Sequence, residues 1–137
     1  MVKKILITGG AGYIGSHITE ILRNNKKEIF IADNLSTGFK ELINKDAKFF
    51  KVNIHNVKKL RKIIIENNID SVIHLAASLI VGKGEKNPKS YYKNNVLGTK
   101  KVLSAIKETS VKNFIFSSTA AVYKDGLNKV SENSKIL

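Results

Sequence analysis

Gly9, Gly10, Gly12 and Gly15 crowd the stretch ITGGAGYIGSH (7–17), directly after an apolar run that ends at Ile7. Residues without side chains at that spacing let the backbone take positive φ, approach a bulky ligand closely and pack a helix against a strand. Open N–H groups at a helix start, with the positive end of the helix dipole behind them, suit a pyrophosphate. Two registers overlap here, Gly10-x-Gly12-x-x-Gly15 and Thr8-Gly9-x-x-Gly12-x-x-Gly15. Either is weak alone. The context that gives it meaning is an acidic residue about 20 residues on, at the end of the next strand, where it accepts hydrogen bonds from a ribose. Asp33 in IFIADN stands there. A carboxylate at that place favours ribose hydroxyls and repels a 2′-phosphate, so the pattern points to NAD rather than NADP. The bland alternative is a tight turn in an α/β protein that binds no ligand.

The elements that must position this loop are legible in the hydrophobic pattern. Short β-branched-rich runs at Lys3–Ile7, Glu28–Ala32, Ala47–Val52, Ser71–Leu75 and Asn113–Ser117 predict strands buried on both faces. Helical patterns lie between them. Tyr13–Asn24 places Ile14, Ile18, Ile21 and Leu22 on one stripe. Asn56–Asn67 places Val57, Leu60, Ile63 and Ile64 together, with Asn56 as N-cap. The longest covers about Pro88–Thr109, proline falling where a first turn tolerates it, and sends Tyr91, Tyr92, Val96, Leu97, Val102, Leu103, Ala105 and Ile106 toward a core. Strand–helix alternation forces parallel pairing through right-handed crossovers. The expected architecture is α/β, a doubly wound parallel sheet of the Rossmann type with strand order 3-2-1-4-5 in a single domain over residues 1–137.

Composition narrows the function classes. The chain has 137 residues, 42% of them hydrophobic, with one proline and no cysteine. That is a globular composition, without a disulfide framework, a zinc-thiolate site or a thiol nucleophile, and it fits a reducing, cytoplasmic compartment. No run approaches the roughly 18 apolar residues of a membrane helix, and the apolar part of MVKKILITGG is too short for a signal peptide. The net charge of +13 raises nucleic-acid binding. Yet all but Arg23 and Arg61 of the 24 basic residues are lysine, scattered apart from KKLRK (58–62), so a solvated lysine surface without a nucleic-acid partner is the better reading. His17, His55 and His74 have no metal-ligand spacing, so no metal is expected.

The register opening with Thr8 resembles that of the extended short-chain dehydrogenase/reductases. Together with DNLSTG (33–38), HLAA (74–77), YYKNNVLGT (91–99) and SSTAAVY (117–123), it is similar to the NAD-dependent sugar-nucleotide 4-epimerases among them, over nearly the whole chain. The resemblance implies an isomerase that inverts C4 of a UDP-sugar by hydride transfer through a 4-keto intermediate. It implies that Gly9, Gly12 and Gly15 form the pyrophosphate loop, with backbone contacts from Tyr13 and Ile14. Asp33 would hold the adenosine ribose, wrapped by Asn34, Leu35, Ser36, Thr37 and Gly38, with Asn53 and Ile54 near the adenine. Leu75, Ala76, Ala77 and Leu79 would line the cofactor below the fourth strand, and Asn94 would reach it from the long helix. Thr119 would hydrogen-bond the sugar 4-oxygen. The helix near 88–109 would form a homodimer interface.

The chain departs from the family pattern in places. Asn53 stands for an aspartate, Lys83 of VGKG (81–84) for a carboxylate, Leu79 for a residue that is sometimes lysine, and Lys124 for a glycine. The tyrosine base of this chemistry is served by a lysine four residues on, which helps lower a phenol pKa from near 10. Here Tyr13 is followed at that distance by His17, Tyr91 by Asn95, Tyr92 by Val96 and Tyr123 by Leu127. The resemblance therefore implies an N-terminal part that ends before the base, the sixth strand and the substrate domain. The residues leave open a sister activity such as a dehydratase or a uronate epimerase, and a stand-alone NAD-binding module.

Overall fold

The structure is a computed structural model that describes residues 3–79, 87–119, 122–123 and 130–136; VGKG with Lys83, and Lys124, lie outside the described residues. Strands β1 (Lys4–Thr8), β2 (Glu28–Asp33), β3 (Lys48–Lys51), β4 (Ser71–His74) and β5 (Asn113–Phe116) alternate with helices. These are α1 (Tyr13–Asn24), α2 (Val57–Glu66), α3 (Pro88–Tyr91), a π-helical segment (Tyr92–Leu97) and α4 (Gly98–Ile106). The five strands form one sheet in the order β3-β2-β1-β4-β5, every pair parallel, as the alternation predicts.

Period-two alternation divides the core between the two sheet faces. Leu6, Phe30 and Val72 face α2 and α4, where Leu60, Ile63, Ile64, Val102 and Ala105 meet them. Ile5, Ile7, Ile29, Ile31 and Ile73 face the other way, against Ile18 and Leu22 of α1. Asn56 caps α2 as its type predicts, its side chain accepting from the Lys59 N–H at 3.0 Å. Such a cap satisfies one of the orphan donors at a helix start.

Three expectations change. The outer strands are not buried on both faces: β3 keeps only Phe49 and Phe50 partly covered, and in β5 Ile115 and Phe116 are more than half exposed. An edge strand lacks a neighbour on one side and, here, helix cover for its apolar residues. The stripe on α1 is rotated, because Gly15 and Thr19 are buried while Ile14 and Ile21 face outward. Close contact between Gly15 and the glycine loop decides which side of α1 lies on the sheet. Finally, the long helix is not uniform. Its middle is π-helical, with the Gly98 N–H donating to the Lys93 carbonyl five residues back, and its regular part ends at Ile106. Val102 and Ala105 are buried, Tyr91 and Ile106 partly so, and Tyr92, Val96, Leu97 and Leu103 are exposed.

Candidate functional site

Ligands of doubly wound sheets bind beyond the carboxyl ends of the strands, where the order reverses direction. In this sheet that point lies between β1 and β4, and the sequence-predicted residues flank it on both sides. Gly9, at the end of β1, takes φ +75° and donates its N–H to the Ala32 carbonyl at 2.9 Å. A methyl group added there would stand 2.7 Å from the Ala76 nitrogen, so only glycine lets the loop after β1 lie on the loop after β4. A methyl on Gly15 would strike the backbone of Gly9 and Gly10, which is how α1 comes down onto its own loop.

Gly12 is different. It is the N-cap of α1, and a methyl added to it would touch only the Gly9 carbonyl oxygen, at 3.3 Å. That one contact is tight, but packing presses on this position less than on Gly9 or Gly15, where a methyl would meet backbone closer than 3.0 Å. What a side chain would fill is the space in front of the helix start, where no side chain caps the N–H groups and no acidic residue occupies the first turn. The loop thus clears room for a bulky anion and aims donors and a dipole at it. Tyr13 and Ile14 carry two of these N–H groups while their side chains face solvent.

Asp33 closes the same space from β2. Its Oδ2 accepts from the Ala11 N–H at 3.1 Å and its Oδ1 from the Leu35 N–H at 2.8 Å. A carboxylate has about four lone-pair directions, so acceptor capacity remains for ribose hydroxyls. The following loop is folded by its own side chains: Asn34 Oδ1 accepts from the Ser36 N–H at 2.9 Å, and Leu35 is held at φ +58°. Gly38 packs on Ala11, and the Phe39 N–H donates to the Ala11 carbonyl at 3.0 Å. Asn53 Oδ1 accepts from the His55 N–H at 2.9 Å, and one further acceptor direction stays open. The Ile54 side chain belongs to the core, against Gly98, so only its backbone is left to face a ligand.

On the other side of the switch point, Leu75 and Ala76 are partly buried against the two cores, and Ala77 and Leu79 are exposed. Asn94 donates from Nδ2 to Asn95 Oδ1 at 3.1 Å. Thr119 is exposed beyond the end of β5, its carbonyl accepting from the Val122 N–H at 3.3 Å.

The structure adds residues that spacing did not single out for a role. Thr8 Oγ1 lies 2.6 Å from His74 Nδ1, and His74 Nε2 lies 3.0 Å from Thr99 Oγ1, which donates to the Asn95 carbonyl at 2.6 Å. Burial lowers the His74 pKa from 6.5 to about 4, so the imidazole is neutral near pH 7. Because Thr99 spends its proton on Asn95, the network assigns the imidazole proton to Nε2, leaving Nδ1 to accept from Thr8. His74 is thus a connector between β1 and the π segment. Among the described residues, no three His, Asp or Glu side chains converge as a metal site.

Comparison with known proteins agrees with this geometry. A family model described as the NAD dependent epimerase/dehydratase family matches residues 5–136. The chain is 44% identical to a UDP-glucose 4-epimerase of Haemophilus influenzae, over 88% of this chain and 38% of that protein. It is 41% identical to a UDP-glucose 4-epimerase of Klebsiella pneumoniae, over 89% of this chain and 93% of that sequence. The crystal structure of UDP-glucose 4-epimerase from Brucella ovis in complex with NAD superposes with a TM-score of 0.89 at 34% identity, over 99% of this chain and 42% of that one. The Haemophilus and Brucella comparisons thus span well under half the length of those relatives.

Proposed function

The chain belongs to the NAD dependent epimerase/dehydratase family, and we propose that it is the NAD-binding portion of a UDP-glucose 4-epimerase. The observation that carries the reading is the uncapped start of α1 at Gly12, a position more open than Gly9 or Gly15, beside Ala11, whose N–H donates to the Asp33 carboxylate. Gly9, Gly12 and Gly15, with the N–H groups of Tyr13 and Ile14, hold the pyrophosphate. Asp33 takes the adenosine ribose inside the turn of Asn34 to Gly38, and the Asn53–Ile54 backbone borders the adenine. Leu75, Ala76, Ala77, Leu79 and Asn94 border the second nucleotide half. Thr119 stands where a donor to the sugar 4-oxygen belongs.

When bound, NAD would supply the acceptor for a hydride from C4 of the UDP-sugar, and the same hydride would return to the other face of that carbon. The residues of this chain bind and orient. The proton of the sugar hydroxyl needs a base, and no tyrosine of the chain is followed four residues on by a lysine. In this reading residues 1–137 form the Rossmann portion, the base and the grip on the sugar nucleotide lie outside them, and the compartment is the cytoplasm. The exposed Tyr92, Val96, Leu97 and Leu103 support a homodimer along their helix.

Calorimetric titration with NAD and NADP tests the reading. Binding of NAD, weaker binding of NADP and loss of that preference in Asp33→Ala are expected. Absence of NAD binding, or equal affinity for the two, overturns it. No interconversion of UDP-glucose and UDP-galactose is expected from the chain alone, and measurable turnover would contradict the missing base.

A further inference from the structure

Strand β4 ends at His74, and its pairing with its neighbours goes only slightly further: the Leu75 N–H donates to the Thr8 carbonyl and the Ser117 N–H to the His74 carbonyl. Beyond that the strands diverge, and Ser78 finds its partner in one side chain. Asn95 Oδ1 accepts from the Ser78 N–H at 2.8 Å, and Asn95 Nδ2 donates to the Ser78 carbonyl at 3.0 Å. A side-chain amide here satisfies both backbone polar groups of one residue, as a neighbouring strand would. Asn94 fills the second acceptor direction of Asn95 Oδ1, which fixes the amide against rotation.

The clamp is rooted in the core. The Asn95 carbonyl accepts from Thr99, which pairs with the buried His74, which pairs with the buried Thr8 at the end of β1. The first strand is therefore linked to Ser78 through four side chains. The π segment that presents Asn95 fits this purpose, since such segments in α-helices are often found at functional sites.

We propose that Asn95 is a positioning residue: by clamping Ser78 it sets the shape of residues 75–79 and so holds the second half of the dinucleotide. This rests on the NAD-binding reading above. The ADP half meets the glycine loop and Asp33, on the far side of the switch point, and does not need the clamp. Asn95 therefore distinguishes the intact dinucleotide from its ADP half.

The test compares affinities for NAD and for ADP in the wild-type chain, Asn95→Ala and the isosteric Asn95→Asp, with a melting curve for each. Asn95→Asp keeps an acceptor for the Ser78 N–H but sets a carboxylate oxygen against the Ser78 carbonyl. Both variants are expected to bind NAD about tenfold more weakly, with ADP affinity unchanged within about twofold. A general loss of structure would instead lower both affinities together. Equal falls for NAD and ADP, or no fall in either, in a variant that melts like the wild type overturns the proposal. If neither variant melts cooperatively, Asn95 is a folding element and the proposal is equally overturned. If the wild-type chain binds neither NAD nor ADP, the NAD-binding reading fails and takes this inference with it.

Discussion

On one side of β1, strand β2 is buried from Ile29 to Asp33, and its terminal carboxylate bonds the backbone of the glycine loop after β1 and of the loop after β2 itself. On the other side, β4 is buried but its neighbour β5 is half exposed, and the loop above β4 is held by side chains from a distant helix. The first flank is built from backbone N–H groups of the motif loops gathered on one carboxylate. The second is assembled from a relay of polar side chains, Thr8 to His74, His74 to Thr99 and Asn95 to Ser78. One sheet therefore places the two proposed nucleotide half-sites by different means, one through the backbone of a recognisable motif and one through polar side chains.

The comparison sharpens most at two phenylalanines. Phe30 on β2 is fully buried, whereas Phe116 on β5 is 55% exposed. Phe30→Ala is expected to destabilise the fold by about 4 kcal/mol, and Phe116→Ala by well under about 1 kcal/mol, in urea denaturation. Equal losses would show that β5 is as well packed as β2 and end the contrast.

The junction of the flanks is next. Gly9→Ala adds a strained positive φ and a methyl against the Ala76 backbone. A loss of about 3 kcal/mol is expected, with NAD binding abolished in the same titration that detects it in the wild type. Retained binding would mean that the two loops move independently.

The third prediction isolates the polar links of the second flank. The folded His74 pKa, lowered by burial to about 4, lies below the 6.5 of an unperturbed histidine. The unfolded chain therefore takes up a proton as pH falls through 6.5 while the folded chain does not. Stability contributed by neutral His74 is complete above about pH 6.5 and declines toward pH 4, by roughly 2.5 kcal/mol at pH 4.5. Unfolding free energies at pH 7 and pH 4.5 should differ less in His74→Gln than in the wild type. An unchanged difference would mean that the imidazole titrates as an exposed one does.

The smallest effect serves as a baseline. Asn56→Ala removes the α2 cap, whose side chain bonds Lys59 and none of the residues proposed to meet the dinucleotide. It should lower stability by about 1 kcal/mol and leave NAD affinity unchanged. A change in affinity would show that α2 transmits strain to the site.

The strand order, the Asn56 cap and the location of the glycine loop and Asp33 at strand ends were legible because each follows from simple periodicity or from a motif of fixed spacing. Asn95 shows the limit. An asparagine pair in a helical pattern looks like an exposed polar face, and only folding reveals that Ser78 lies opposite. His74 is similar, since a histidine ending an apolar strand gives no sign of Thr99. The outward turn of Ile14 and Ile21 was hidden for a third reason: hydrophobic type alone did not say that Gly15 needed the sheet side more.

The π segment between α3 and α4 bears on how this sequence can change length. An α-helix turns about 100° per residue, so deleting Val96 would rotate Asn94 and Asn95 by about that angle relative to Val102 and Ala105, which remain fixed in the core. Substitutions in this stretch adjust a contact, whereas a deletion or an insertion between Asn95 and Val102 moves both asparagines to a different face. Sequences that keep the Ser78 clamp should therefore align through YYKNNVLGT without a gap.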